Sequence, residues 1–151
     1  MSELGRFGVA VIISVMMSGC GGSAGEDYEV VPVSGKITVN GEPAEGISVA
    51  FFPVEGTPGT GGFATTDASG AYQLQTRQGR DGTAPGQYRV LFTQILMPDG
   101  SPVPKDEMAT DVGAVNQLPE HFNDPYNTPI GATVEKDGDN GSHNFDLKVR
   151  R

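Results

Sequence analysis

Apolar and polar side chains alternate along much of the chain after residue 31, a pattern typical of half-buried β-strands. In the first such run, Val33, Ile37 and Val39 fall on one face, whereas Lys36 falls on the opposite face. The predicted strands lie within residues 33–39, 47–54, 62–66, 72–74, 87–94, 133–136 and 144–149. The pattern therefore predicts about seven short strands.

Residues that favour turns separate these runs. Asn-Gly at 40–41 and Asp-Ala-Ser-Gly at 67–70 each predict a tight turn. The stretch 137–141 (Asp-Gly-Asp-Asn-Gly) predicts a hairpin between the last two runs, with Phe145 and Leu147 facing the core. Since no amphipathic helix of any length is predicted, we expect an all-β fold of two packed sheets.

The first 25 residues have the features of an export signal. An uncharged apolar run at 7–17 is too short to span a bilayer comfortably and suits the core of a signal peptide. The tetrapeptide 17–20 (Met-Ser-Gly-Cys) follows, and it resembles the lipobox of bacterial lipoproteins. The resemblance implies cleavage between Gly19 and Cys20 and acylation of Cys20, by diacylglycerol and by a further acyl chain such as palmitate.

This resemblance divides the chain into a signal peptide (1–19), a lipidated cysteine with a flexible tether (20–29) and a folded domain (30–151). Two or more acyl chains make attachment to a lipid bilayer effectively stable. Gly21, rather than aspartate, follows the cysteine, which favours the outer membrane if the sorting rule of enteric lipoproteins applies. The alternative is a soluble chain with a buried first helix and an inert thiol.

Three motifs in the folded part are similar to those of carboxypeptidase regulatory-like domains. They are Val-Ser-Gly-Lys-Ile at 33–37 followed by the loop 40–49, Thr-Asp-Ala-Ser-Gly-Ala-Tyr at 66–72, and Pro-Gly-Gln-Tyr-Arg-Val at 85–90. The resemblance covers 31–94 and 131–149, and it implies a seven-stranded transthyretin-like, Ig-like Greek-key β-sandwich. These motifs contain residues that favour tight turns, and they contain no catalytic residue.

A long insert at 95–130 interrupts the domain, and connections of this length are uncommon unless they are functional or disordered. We expect 99–117 to be mobile and dispensable for folding, and 118–130 to be packed. Phe122 and Tyr126 could bind a partner, or they could be apolar plugs that hold the insert over one end of the sandwich. The plug interpretation is the favoured one.

Composition narrows the choice of partners and compartment. The chain has 19 Asp and Glu against 10 Lys and Arg, for a formal net charge of −9, and this charge disfavours binding to nucleic acid. Cys20 is the only cysteine, so no disulfide within the chain is possible and the core must supply the stability. We expect the folded domain to be monomeric.

Most candidate chemistries are disfavoured by the residues present. His121 and His143 are the only imidazoles, and a shared metal site between them has no support from spacing. Residues 137–148 resemble the start of an EF-hand loop, but glycine stands at the fifth position and Lys148 at the twelfth, so we interpret the stretch as a turn. The pattern Gly-x-Ser-x-Gly occurs at 21–25, but there it lies in the glycine-rich tether and follows no predicted strand, so no nucleophile elbow of a serine hydrolase is predicted.

A covalent cross-link between Lys36 and Asn144 or Asp146, as in domains with intramolecular isopeptide bonds, is a further possibility. Alternation argues against it, because Lys36 is expected to point outward.

The interpretation favoured by these observations is a non-enzymatic, lipid-anchored module of the bacterial cell envelope with no cofactor. Its expected partners are the bilayer, through Cys20, and an envelope protein or a polysaccharide. Two alternatives remain: a carbohydrate-binding accessory domain, and an envelope hydrolase with an unrecognised site.

Overall fold

The computed structural model describes residues 27–150, which are built mainly from short β-strands and contain no α-helix. The all-β prediction is confirmed. The strands are β1 (Ser34–Val39), β2 (Glu42–Pro43), β3 (Ser48–Pro53), β4 (Gly62–Thr65), β5 (Ala71–Gln73), β6 (Gly86–Thr93), β7 (Ile95–Leu96), β8 (Val115–Asn116), β9 (Gly131–Val134) and β10 (Phe145–Leu147). Each of the seven predicted runs overlaps one strand, and β2, β7 and β8 are two-residue additions.

One four-stranded sheet is organised around β1. The C-terminal half of β1 pairs with β10 in parallel and with β2 in antiparallel orientation, while its N-terminal half pairs with β5. The β1–β2 turn uses Asn40 at φ 52° and Gly41 at φ 86°, the two positive values that a tight hairpin turn requires. The predicted Asn-Gly turn is therefore confirmed.

The other four-stranded sheet is antiparallel, in the order β4-β3-β6-β9. Strand β6 lies at its centre and pairs with β3 over six residues and with β9 over four. Pro53 ends β3 beyond the last residue that pairs with β4, so its missing N–H interrupts no bond to that strand. A third sheet contains only β7 and β8, within the insert.

The two larger sheets meet in a common apolar core. Phe145 of β10 packs against Phe92 of β6 and Phe51 of β3, with ring centroids 5.4 Å and 6.3 Å apart. The Val, Ile, Leu and Phe core residues that are at most 1% exposed are Val33, Ile37, Ile47, Val49, Phe51, Leu74, Val90, Phe92 and Leu147. Because these residues occupy the inward phase of the strands, the alternation predicted from the sequence is confirmed.

The predicted C-terminal hairpin is wrong. Strand β9 pairs with β6 in one sheet, whereas β10 pairs with β1 in the other, so 135–144 crosses between the sheets. The crossing is held by Asn140, which is 6% exposed and exchanges two hydrogen bonds with the backbone of Glu135. The Asn140 carbonyl also accepts a bond from the Ser34 N–H, which directs the chain to β1.

The second half of the insert contributes to the core. Leu118 and Phe122 are each 5% exposed, and Phe122 lies on a short 3₁₀ helix, Glu120–Phe122, at 6.4 Å from the Phe92 ring. Tyr126, by contrast, is 86% exposed. The plug interpretation therefore agrees with the position of Phe122 and is wrong for Tyr126. Within 27–150, no helix is long and apolar enough to cross a membrane.

Candidate functional site

The surface of the β4-β3-β6-β9 sheet that faces away from the core is the candidate functional site. We call it the outer face. Because β3 directs Val49 and Phe51 into the core, it directs Ala50 and Phe52 outward. The outer face consists of Ser48, Ala50, Phe52, Phe63, Thr65, Gln87, Arg89, Leu91, Thr93, Gly131 and Thr133.

Strand register brings apolar side chains together on this face. Ala50 stands opposite Phe63 on one side and Leu91 on the other, and all three therefore form one row across the sheet. Phe52 is two residues further along β3, a diagonal neighbour of Phe63 within reach of aromatic side chains. Phe52 is 51% exposed and Phe63 is 48% exposed, so much of both rings is open to solvent.

Arg89 connects the outer face to the insert. It stands opposite Phe52 in the register, and its Nη1 donates to the carbonyl oxygens of Pro125 and Tyr126 at 2.6 Å and 3.0 Å. Asp124 holds the same segment, since its Oδ1 accepts the Tyr126 N–H at 2.8 Å. That bond, the Asn127 amide and the charge of Arg89 lower the Asp124 pKa. Tyr126 is thus fixed beside the outer face by its backbone, with its ring free.

Phe52 and Phe63 are exposed on the outer face, and Tyr126 is exposed on the segment that adjoins it. We call these three residues the aromatic trio. A shallow hollow lies on the outer face beside Phe63. The hollow has a volume of about 180 Å³ and is bordered by Phe63, Ala50 and Leu91. Its polar lining comes from Ser48, Thr65, Thr93 and Asn123. Hydroxyl and amide groups therefore lie next to exposed carbon surface.

The outer face differs in charge from the rest of the chain. None of its residues is acidic, and Arg89 is its single charged residue, although the chain carries 19 Asp and Glu. Asp124, on the adjoining segment, interacts electrostatically with Arg89. An aromatic surface with a single charged residue, on an acidic protein, suits a ligand that is neutral and partly apolar.

The two histidines occupy separate surroundings. His121 is exposed, and its ring lies 4.2 Å from that of Phe122. His143 packs edge-on against Phe51 at 5.9 Å, and its Nε2 is buried without a hydrogen-bond partner. Burial lowers the His143 pKa, and Asp139 opposes this shift in part. Among residues 27–150, no group of three or more His, Cys, Asp or Glu side chains is arranged to hold a metal ion.

The other side chains singled out in the sequence have structural partners. Asp139 accepts the Gly141 N–H at 2.9 Å, which agrees with a turn rather than a calcium loop. Asn144 accepts the backbone N–H of Lys36 at 2.8 Å through Oδ1, and Asp146 accepts bonds from Thr38 and Gly41. Lys36 itself is exposed, as alternation predicts, and its side chain is not directed into the core.

The predicted lipidation and cleavage residues, Cys20 and Gly19, lie outside the described residues. Of the two candidate binding residues, Phe122 is in the core and Tyr126 is on the surface. Phe52 and Phe63 were not among the candidate residues predicted from the sequence. Phe52 falls in the outward phase of the 47–54 run, so the alternation itself contained a signal for an exposed aromatic residue.

Comparison with known proteins provides no neighbour for this chain: no family model, no curated protein and no solved structure matches it. The similarity to carboxypeptidase regulatory-like domains rests on the three motifs alone and stays a prediction. The function must accordingly be argued from the residues and the geometry.

Proposed function

We propose that the protein is a non-enzymatic, lipid-anchored binding module of the bacterial cell envelope. The observation that carries this proposal is the order of segments: an apolar run at 7–17, a small-small-Cys site ending at Cys20, a glycine-rich stretch and then the folded domain. Val31 is the first residue of the core, and eleven residue-to-residue steps separate it from the acylated cysteine. Fully extended, they span at most about 40 Å, which allows the domain to stand clear of the lipid headgroups.

For the domain itself we propose a transthyretin-like, carboxypeptidase regulatory-like β-sandwich. Two four-stranded sheets that share one core support it, as does the crossing of 135–144 from one sheet to the other. The Asp67 turn of the second motif supports it as well. The Asp67 Oδ1 accepts the N–H groups of Ser69 and Ala71, which is the role that the motif implies.

The shifted carboxylates also favour a non-enzymatic role. Asp67, Asp99 and Asp124 have lowered pKa values because each accepts hydrogen bonds from groups two to four residues further along its own turn. These bonds stabilise local backbone conformation, whereas a catalytic acid needs a raised pKa or a partner base. We therefore assign these side chains to turns.

Metabolic labelling tests the anchor. The full chain is expressed in a Gram-negative bacterium with an alkyne analogue of palmitate, beside a Cys20→Ser variant. We expect label on the wild-type chain only, with the wild type in the outer-membrane fraction. Label that persists in Cys20→Ser, or a wild-type chain that carries none, contradicts the proposal.

A second candidate function, carbohydrate binding, is favoured by the aromatic trio. Carbohydrate-binding domains use exposed aromatic rings as platforms, and three aromatic side chains are exposed in the described residues. Phe52 and Phe63 stand on neighbouring strands of one sheet, and this arrangement supports the candidate.

A further inference from the structure

We propose that the outer face is a binding site for a neutral glycan, whose pyranose rings stack on the exposed rings of the aromatic trio. This inference rests on the proposed function, of which it names the ligand class. It is argued from the position of Phe52 and Phe63, which are 51% and 48% exposed on one sheet surface. Tyr126 is 86% exposed, and its backbone carbonyl is bonded to Arg89 of that surface. Aromatic rings held on strands or by backbone bonds lose little conformational freedom on binding.

The size of the surface favours a glycan over a second protein. Strands lie about 4.8 Å apart and rise about 3.4 Å per residue, so the apolar part formed by β3, β4 and β6 measures roughly 15 Å by 15 Å. A stable protein interface needs about 800 Å² from each partner, several times this area. A short stretch of an extended polysaccharide requires only a narrow platform. The dimensions thus argue against a second copy of the chain as the occupant.

The polar groups of the hollow favour a ligand with many hydroxyls. Ser48, Thr65 and Thr93 present hydroxyl groups beside Phe63, and Asn123 adds a side-chain amide. These groups donate and accept hydrogen bonds without carrying charge. Sugar hydroxyls have the same dual character, so they can pair with such side chains while their C–H faces cover the rings.

The charges indicate that the glycan is neutral. Arg89 is the only charged residue of the outer face, and its Nη1 already donates to the Pro125 and Tyr126 carbonyls. Asp124, on the neighbouring segment, offsets part of that positive charge. The surface therefore offers neither a free cationic cluster for an anionic polymer nor an acidic one for a cationic polymer.

Isothermal titration calorimetry of the full chain in detergent micelles tests the site with two probes, cellohexaose and N-acetyl-chitohexaose. We expect saturable binding of at least one probe, with a Kd below about 1 mM. Phe52→Ala and Phe63→Ala should each raise the Kd about tenfold, and Tyr126→Ala should raise it several-fold. Met108→Ala, at a residue that is 71% exposed on the insert, is the matched control and should leave the Kd unchanged.

Two substitutions at one position separate stacking from general hydrophobic contact. Phe63→Tyr retains a ring and should bind as the wild type does, whereas Phe63→Leu retains apolar surface and should lose affinity about tenfold. Because Phe63 is exposed, both variants should melt at the wild-type temperature. Equal affinity of Phe63→Leu and wild type would overturn the proposal.

Further results would also contradict a glycan-binding site on the outer face. Absence of saturable binding to both probes, or affinity that falls steeply with added salt, contradicts a neutral glycan site. A concentration-dependent dimer that Phe63→Ala dissociates would identify the outer face as a self-association surface instead. Neither result affects the labelling of Cys20, so failure of this inference and failure of the lipid anchor are distinguishable.

Discussion

The Tyr72 hydroxyl donates a 2.7 Å hydrogen bond to the backbone carbonyl oxygen of His143, 71 residues away in the chain. Tyr72 belongs to β5 and is 4% exposed, and burial raises its pKa, so the hydroxyl stays protonated and remains a donor. The bond ties β5 to the segment that leads into β10, on opposite sides of β1. It joins the middle of the domain to its C-terminal strand.

Tyr72→Phe should therefore lower the free energy of unfolding by about 1–2 kcal/mol, because it leaves the buried His143 carbonyl without this donor. Urea denaturation measures the change. Tyr126→Phe is the control: it removes the hydroxyl from an 86% exposed ring and should have no effect. Equal stability of the two variants would show that water or another donor replaces the Tyr72 hydroxyl.

Gly70→Ala should destabilise the protein more than Gly46→Ala. Both glycines have a left-handed conformation, with φ of 75° and 73°. A Cβ on Gly70 would lie 2.4 Å from the Ile37 carbonyl oxygen, whereas a Cβ on Gly46 would meet no atom within 4 Å. We expect a loss of about 1 kcal/mol for Gly46→Ala and about 3 kcal/mol for Gly70→Ala, measured by urea denaturation. Equal losses would mean that the turn shifts to admit the methyl group.

The strands were predictable from the sequence because alternation is local, but their partners were not. The turn signal at 137–141 favoured a hairpin. No local pattern predicts that the Asn144 side chain accepts a hydrogen bond from the Lys36 N–H, or that β10 pairs with β1. That pairing depends on contacts more than 100 residues apart. Tertiary contacts outweighed the turn propensity.

For the candidate site, too, the orientation of a side chain was predictable from the sequence, but its neighbours on other strands were not. Phe52 could be placed on the outer surface from its phase in the 47–54 run, since Val49 and Phe51 occupy the inward phase. Its proximity to Phe63 depends on the register of β3 with β4, and the segment that carries Tyr126 is held beside the sheet by the Arg89 bonds and by the Thr128 bond to Val90. The prediction that 118–130 is packed fails at Tyr126, because an irregular loop does not keep every apolar side chain on one buried face.

Asp146 should make stability depend on pH in the acid range. Its pKa is lowered to about 2, first by the hydrogen bond from Lys148 and then by bonds from Gly41 and Thr38. Because the folded pKa lies below the model value of 3.8, its stabilisation is complete above that pH and is lost as the pH falls towards about 2. Asp146→Asn should lose less stability than the wild type between about pH 5 and about pH 2.5 in urea titrations. Identical pH profiles would contradict this assignment.

Phe122→Ala should lower the free energy of unfolding by about 3 kcal/mol, since it removes a ring that is 5% exposed and packs against Phe92. Tyr126→Ala, four residues later and 86% exposed, should change it by less than about 0.5 kcal/mol. Thermal and urea denaturation measure both. If Phe122→Ala is as stable as the wild type but no longer captures an envelope partner, then Phe122 is a binding residue.

The first part of the insert should be replaceable. Residues 97–114 contribute nothing to the buried core cluster, and their ends are fixed by the β7–β8 pair Leu96 and Val115. Because these residues stand opposite each other in antiparallel strands, an Asn-Gly linker can join them as a two-residue hairpin turn. The shorter loop also costs less closure entropy.

We therefore expect the variant with Asn-Gly in place of 97–114 to melt at or above the wild-type temperature. The Asn116 side chain should remain essential to this result, since its Oδ1 accepts the N–H groups of Gln94 and Leu118 and so anchors β8 to the end of β6. Adding Asn116→Ala to the shortened chain should lower the free energy of unfolding by about 1–2 kcal/mol. A shortened chain as unstable as Phe122→Ala would instead show that 97–114 supports the core.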